Sequence, residues 1–102
     1  MVLKIESNAP KIEQFCKEHH ILYLGLFGSY ARGEQSAQSD IDLLVEFAEN
    51  IRLSLLDVVG IEQELSELLN IPVDLVEKRA LKKPITPYVM KDLQTLYSQT
   101  IS

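Results

Sequence analysis

Phe27-Gly28-Ser29-Tyr30-Ala31-Arg32-Gly33-Glu34, followed after a polar loop by Ser39-Asp40-Ile41-Asp42-Leu43-Leu44-Val45, is the stretch that decides the fold. It reads as the end of a buried strand, a tight Gly-Ser turn, a short helix, and a second strand carrying two aspartates. Such a turn presents backbone N–H groups at a helix start, where phosphate binds. The aspartates offer the hard oxygen ligands that Mg²⁺ prefers. Phosphate and magnesium together point to nucleotide chemistry.

Alternate residues of a strand share a face, so Asp40 and Asp42 are expected on one side of the second strand. At the usual strand rise their spacing is roughly 6–7 Å. Two carboxylates that far apart repel by about 2–3 kcal/mol at an effective dielectric near 20. That is a considerable fraction of a small domain's stability, and a bound divalent cation would relieve it. Asp74, at the entry to a third strand, is the natural third carboxylate of the cluster. Two rival motifs fail. Gly28 and Gly33 fit the glycines of a P-loop, but Glu34 and Gln35 stand where its Lys and Ser/Thr belong. Ser29 directly follows Gly28, so this is no G-x-S-x-G elbow, and the only candidate bases, His19 and His20, sit on another helix.

Outward from this centre the chain alternates helices and strands. Ser7 or Asn8 can cap a first helix with Pro10 in its opening turn. Ile12, Phe15, Cys16 and His19 then fall on one face, which makes Cys16 and His19 packing residues rather than ligands. Ile21 to Phe27 is short and nearly all apolar, as a strand covered on both faces would be. A short helix from Tyr30 to about Gln35 leads through the loop to a strand from Ile41 to Phe47. Ser54 and Asp57 form a capping box for a long helix whose expected inner side is Leu55, Val58, Val59, Leu65, Leu68 and Leu69. Its Glu62, Glu64 and Glu67 are expected in water, and Asn70-Ile71-Pro72 ends it. Val73-Asp74-Leu75-Val76 is a third strand. A last helix is expected to open at Thr86-Pro87 and bury Val89, Met90, Leu93, Leu96 and Tyr97. The predicted order is α-β-α-β-α-β-α: an α/β (α+β) class with a small mixed sheet and helices packed on it.

The chain has 102 residues, 46% hydrophobic and 25% charged, which suits one domain spanning 1–102. Cys16 is the single cysteine, so neither a disulfide framework nor a zinc cluster is expected. No apolar run has the length of a membrane span and no signal-peptide layout opens the chain, so no membrane partner is expected and the cytoplasm is the expected location. The net charge of −5 argues against direct nucleic-acid binding through phosphates. That charge is uneven: residues 1–77 carry −9, and residues 78–102 carry +4. Lys78, Arg79, Lys82 and Lys83 form either a solvated loop or a docking patch for an acidic partner or a triphosphate.

Gly28-Ser29, ten intervening residues, then Asp40-x-Asp42 resembles the signature of the polymerase-beta-like nucleotidyltransferase superfamily. More narrowly, Gly28-Ser29-Tyr30-Ala31-Arg32-Gly33 with Ser39-Asp40-Ile41-Asp42-Leu43 resembles the minimal nucleotidyltransferases, the MNT proteins. The resemblance implies their fold and a two-metal nucleotidyl transfer. Gly28 and Ser29 would hold the β- and γ-phosphates, and Arg32 would reach the triphosphate. Asp40 and Asp42 would bridge two Mg²⁺ ions; Asp74 would hold the second ion and could take the acceptor's proton. It further implies ATP as donor and a HEPN-domain ribonuclease toxin as partner, in a possible hetero-oligomer, with AMP transferred to a toxin tyrosine. Two other readings stay open: an antitoxin that merely covers the toxin, and the catalytic subunit of a small-molecule nucleotidyltransferase.

Overall fold

The computed structural model describes residues 7–99. Their elements are α1 (Ala9–Glu18), β1 (Ile21–Phe27), α2 (Ser29–Arg32), β2 (Ile41–Phe47), α3 (Leu55–Leu69), β3 (Val73–Glu77), a 3₁₀ turn (Lys78–Ala80), α4 (Thr86–Asp92) and β4 (Gln94–Ser98). The strands form one sheet in the order β3-β2-β1-β4. β1 runs antiparallel to both β2 and β4, whereas β2 and β3 are parallel. That parallel pair needs a crossover, and α3 supplies it.

Local chemistry explains where the elements begin and end. His20 at φ 58° turns the chain from α1 into β1. Ser54 Oγ accepts the Asp57 N–H at 3.2 Å while Asp57 Oδ2 accepts the Ser54 N–H at 2.9 Å, the expected reciprocal cap of α3. Asn70 closes α3 in the left-handed conformation, φ 57°, one of the few non-glycine residues that tolerates it.

One face of the sheet carries the main core. Ile12, Phe15 and Cys16 of α1 and Ile61, Leu65 and Leu69 of α3 pack on Leu24, Leu26, Ile41, Leu43, Val45, Val73 and Leu75. Burial pushes the Cys16 thiol up to about 12, so it is the inert packing residue expected. His19 is half-buried, its ring 4.2 Å from that of Phe15. The alternation of β2 sends Asp42 and Leu44 to the opposite face, where Val89 of α4 lies beside Asp42 and Asp74 along one cavity. Leu44 and Val89 are both buried, so this second face is covered too.

The mixed α/β fold is the one expected, with three departures. The last helix stops at Asp92, and residues 94–98 form β4, so the observed order ends α-β. Ile85, not Thr86, is its N-cap, Met90 is 47% exposed, and Leu96 and Tyr97 reach the core from the strand. The short helix is one turn, Ser29–Arg32, closed by Gly33 at φ 72°. On α3 the buried stripe is Ile61, Leu65 and Leu69, with Val58 and Leu68 partly buried. Leu55 is 80% exposed because it precedes this stripe in the first turn, and Val59 lies off it. Glu62 is only half-exposed, for a reason given below.

Candidate active site

β1 ends at Phe27, the Cα partner of Asp42 on β2. The chain then turns at Gly28 with φ 78° and ψ −155°, a conformation open essentially to glycine alone. A Cβ at Gly28 would also collide with the Asp42 carboxylate. The glycine therefore lets the backbone of the turn lie directly against Asp42. Ser29 begins α2, whose turn is held by Arg32 N–H donating to Gly28 C=O at 3.1 Å and Glu34 N–H to Ser29 C=O at 2.8 Å.

Asp74 stands on β3 as the Cα partner of Asp42, so the parallel register brings the two carboxylates side by side on one face. β3 is an edge strand, and α3 side chains cover that edge. Ser66 Oγ accepts the Val73 N–H at 2.9 Å and Glu62 Oε2 accepts the Leu75 N–H at 2.7 Å. Both residues flanking Asp74 are thus tied to α3. This is why Glu62 turns toward the protein rather than water.

Asp40 lies just ahead of β2 and is exposed, whereas Asp42 is half-buried. Burial raises the Asp42 carboxyl above the ordinary aspartate range, Asp74 and then Asp40 raise it further, and Arg32 pulls it back. Because Asp40 projects into water, its repulsion with Asp42 is screened below the strand-spacing estimate. Beside Asp42 and Asp74 opens a cavity of about 390 Å³ lined by Phe27, Val76, Ala80, Leu81, Lys82, Ile85 and Val89.

Among the described residues no three His, Cys, Asp or Glu side chains close on a single point as a ready metal cage. The donor set nevertheless fits magnesium. Mg²⁺ is held by one or two carboxylates with water and substrate phosphates completing its octahedron. Asp42, crowded by Asp74 and Asp40 and only partly offset by Arg32, has the excess negative charge that such an ion neutralises.

Arg32 points from α2 to two carboxylates: its Nε is 2.9 Å from Glu34 Oε1 and its Nη1 is 2.8 Å from Asp92 Oδ2. Gln94 Nε2 donates to the Ala31 carbonyl at 2.9 Å. Sequence reading singled out Arg32 but neither Asp92 nor Gln94, which lie sixty residues or more downstream and carry no motif. The basic segment divides. Lys78 and Arg79 pair with Glu46 (3.8 Å) and Glu77 (3.2 Å), while Lys82 lines the cavity at the carboxylates.

The nucleotidyltransferase domain family matches residues 9–96 of the chain. The protein adenylyltransferase MntA of Thermococcus cleftensis is 44% identical over 70 residues, 69% of each chain. Among solved structures, a toxin–antitoxin complex with AMP-PNP superposes with a TM-score of 0.74 at 29% identity, covering 89% of this chain and 73% of that one. The complex of a tri-AMPylated Shewanella oneidensis HEPN toxin with its MNT antitoxin gives 0.69 at 25% identity, covering 92% and 72%.

Proposed function

Because the chain belongs to the nucleotidyltransferase domain family, we propose that it transfers AMP from ATP to a hydroxyl, a tyrosine for preference, of a HEPN-domain toxin and so acts as its antitoxin. The observation that carries this reading is the register of Asp42 and Asp74 beside the Gly28-Ser29 turn. A protein that only covered its partner would have no use for two carboxylates crowded together, one of which, Asp42, sits where the fold resists its ionisation.

In this reading Gly28 and Ser29 receive the β- and γ-phosphates and Arg32 binds the triphosphate. Asp40, Asp42 and Asp74 hold two Mg²⁺ ions, which when bound neutralise charge on the phosphates and acidify the attacking hydroxyl. The acceptor oxygen forms a bond to the α-phosphorus in line with the departing oxygen. The bond between that phosphorus and the oxygen bridging to the β-phosphate breaks, and pyrophosphate leaves. Asp74, exposed beside the cavity, takes the hydroxyl proton.

The test mixes the protein, a HEPN toxin, Mg²⁺ and ATP labelled at either the α- or the γ-phosphate. Label from the α position should move to the toxin and γ label should leave as pyrophosphate. Transfer of γ label, or of none, contradicts the assignment. Label on a small metabolite instead would make this a small-molecule enzyme.

A further inference from the structure

Building on that reading of Arg32, we propose that Asp92 and Gln94, at the junction of α4 and β4, are positioning residues that hold the phosphate-binding turn and aim the Arg32 guanidinium. A four-residue helix has too few internal hydrogen bonds to be stable alone, and its last carbonyls have no partners within it. α2 is such a helix. Its anchors come from the far end of the chain. Gln94 is the Cα partner of Leu26, so β4 begins beside the last residues of β1, directly before Gly28. From there its amide reaches the Ala31 carbonyl, and Asp92, two residues earlier, reaches Arg32.

The geometry suits aiming rather than mere attachment. Arginine has five N–H donors in a rigid plane. Glu34 occupies Nε and Asp92 one position on Nη1, which leaves three donors for a phosphate. Asp92 is the firmer of the two carboxylates, since its side chain is 18% exposed against 65% for Glu34. A flexible guanidinium would have to be ordered by the ligand; here the fold orders it in advance. Asp92 also brings a negative charge near the triphosphate, so its shape and its charge act in opposite directions.

That opposition makes the roles separable. The experiment measures AMP-PNP binding with Mg²⁺ by calorimetry for the full chain and for Asp92→Ala, Asp92→Asn and Gln94→Ala, with a thermal melt of each. Asp92→Ala and Gln94→Ala should weaken binding on the order of tenfold. Asp92→Asn, which keeps an acceptor and loses the charge, should bind as tightly as wild type or tighter. In an Arg32→Ala background Asp92→Ala should no longer weaken binding, and with its charge gone should leave binding unchanged or tighter, because its positioning role acts through Arg32. Tighter binding by both Asp92 variants would make Asp92 a competitor of phosphate and overturn the proposal. Lower melting temperatures with unchanged affinity would make the pair structural and overturn it too. If Asp92→Ala does not fold, Gln94→Ala and the Asn variant decide. Loss of AMP-PNP binding by wild type would instead remove the nucleotide reading itself.

Discussion

Asp42 and Asp74 are register partners on neighbouring parallel strands, so each carboxylate meets the other on the face opposite the main core. Burial first, and Asp74 second, raise the Asp42 pKa. A carboxyl whose folded-state pKa exceeds its unfolded value makes the fold disfavour its charged form. The resulting cost is fully present above the folded pKa and disappears below the unfolded one. Asp42→Asn should therefore be more stable than wild type at neutral pH, with the advantage shrinking as the pH falls through the acidic range. Urea unfolding at a series of pH values tests this, and a pH-independent difference would contradict it.

Gly28 is irreplaceable for two reasons: its positive φ, and the Asp42 carboxylate against its α-carbon. Gly28→Ala should cost about 1–3 kcal/mol from backbone strain alone and should also displace Asp42. Gly33, at φ 72° with open space around it, is the comparison: Gly33→Asn should be nearly neutral. Equal urea midpoints for Gly28→Ala and Gly33→Asn would contradict the packing described.

Glu62 accepts the Leu75 N–H from across the crossover, next to Asp74. Losing a hydrogen bond to a charged acceptor typically costs about 1.5–3 kcal/mol. Glu62→Ala should lose stability in that range and lower AMP transfer by loosening β3, while Glu62→Gln, which keeps an acceptor oxygen, should recover most of both. Full transfer activity in Glu62→Ala would show that Asp74 does not depend on this tie.

Lys82 and the Lys78/Arg79 pair should behave differently because only Lys82 lines the cavity at the carboxylates. Lys82→Ser should weaken triphosphate binding by about tenfold, in the range of one charged hydrogen bond. Lys78→Ser with Arg79→Ser should leave it unchanged and instead slow association with an acidic partner at low salt. Identical effects on ATP affinity would return the segment to a single undivided patch.

The legible parts of the sequence were those with local causes. Apolar runs bounded by Gly28 and Asp40 marked β1 and β2, and Ser54 with Asp57 marked the start of α3. β4 was hidden because Val89, Leu93, Leu96 and Tyr97 repeat at helical spacing, while the strand is specified by pairing with β1, some seventy residues away. The same distance hid Asp92 and Gln94. Neither carries a motif, and their importance comes from where β4 delivers them. On α3, Leu55 and Val59 looked like core residues because composition alone does not say where along a helix the sheet beneath it begins. Asp74 was legible as a third carboxylate from its place at the entry to the third strand, but its nearness to Asp42 is set by the parallel register of β2 and β3, which the sequence does not spell out.

Dose dependence of toxin silencing tests the central claim most directly. Wild-type protein or the Asp40→Asn/Asp42→Asn double variant is incubated with a HEPN toxin, ATP and Mg²⁺ at toxin excess, and residual ribonuclease activity is followed with AMP incorporation. A catalyst turns over, so wild type should silence many equivalents of toxin, whereas the folded double variant should label none and inhibit at most one equivalent by occupancy. Full silencing of excess toxin by the double variant would contradict transfer through these carboxylates.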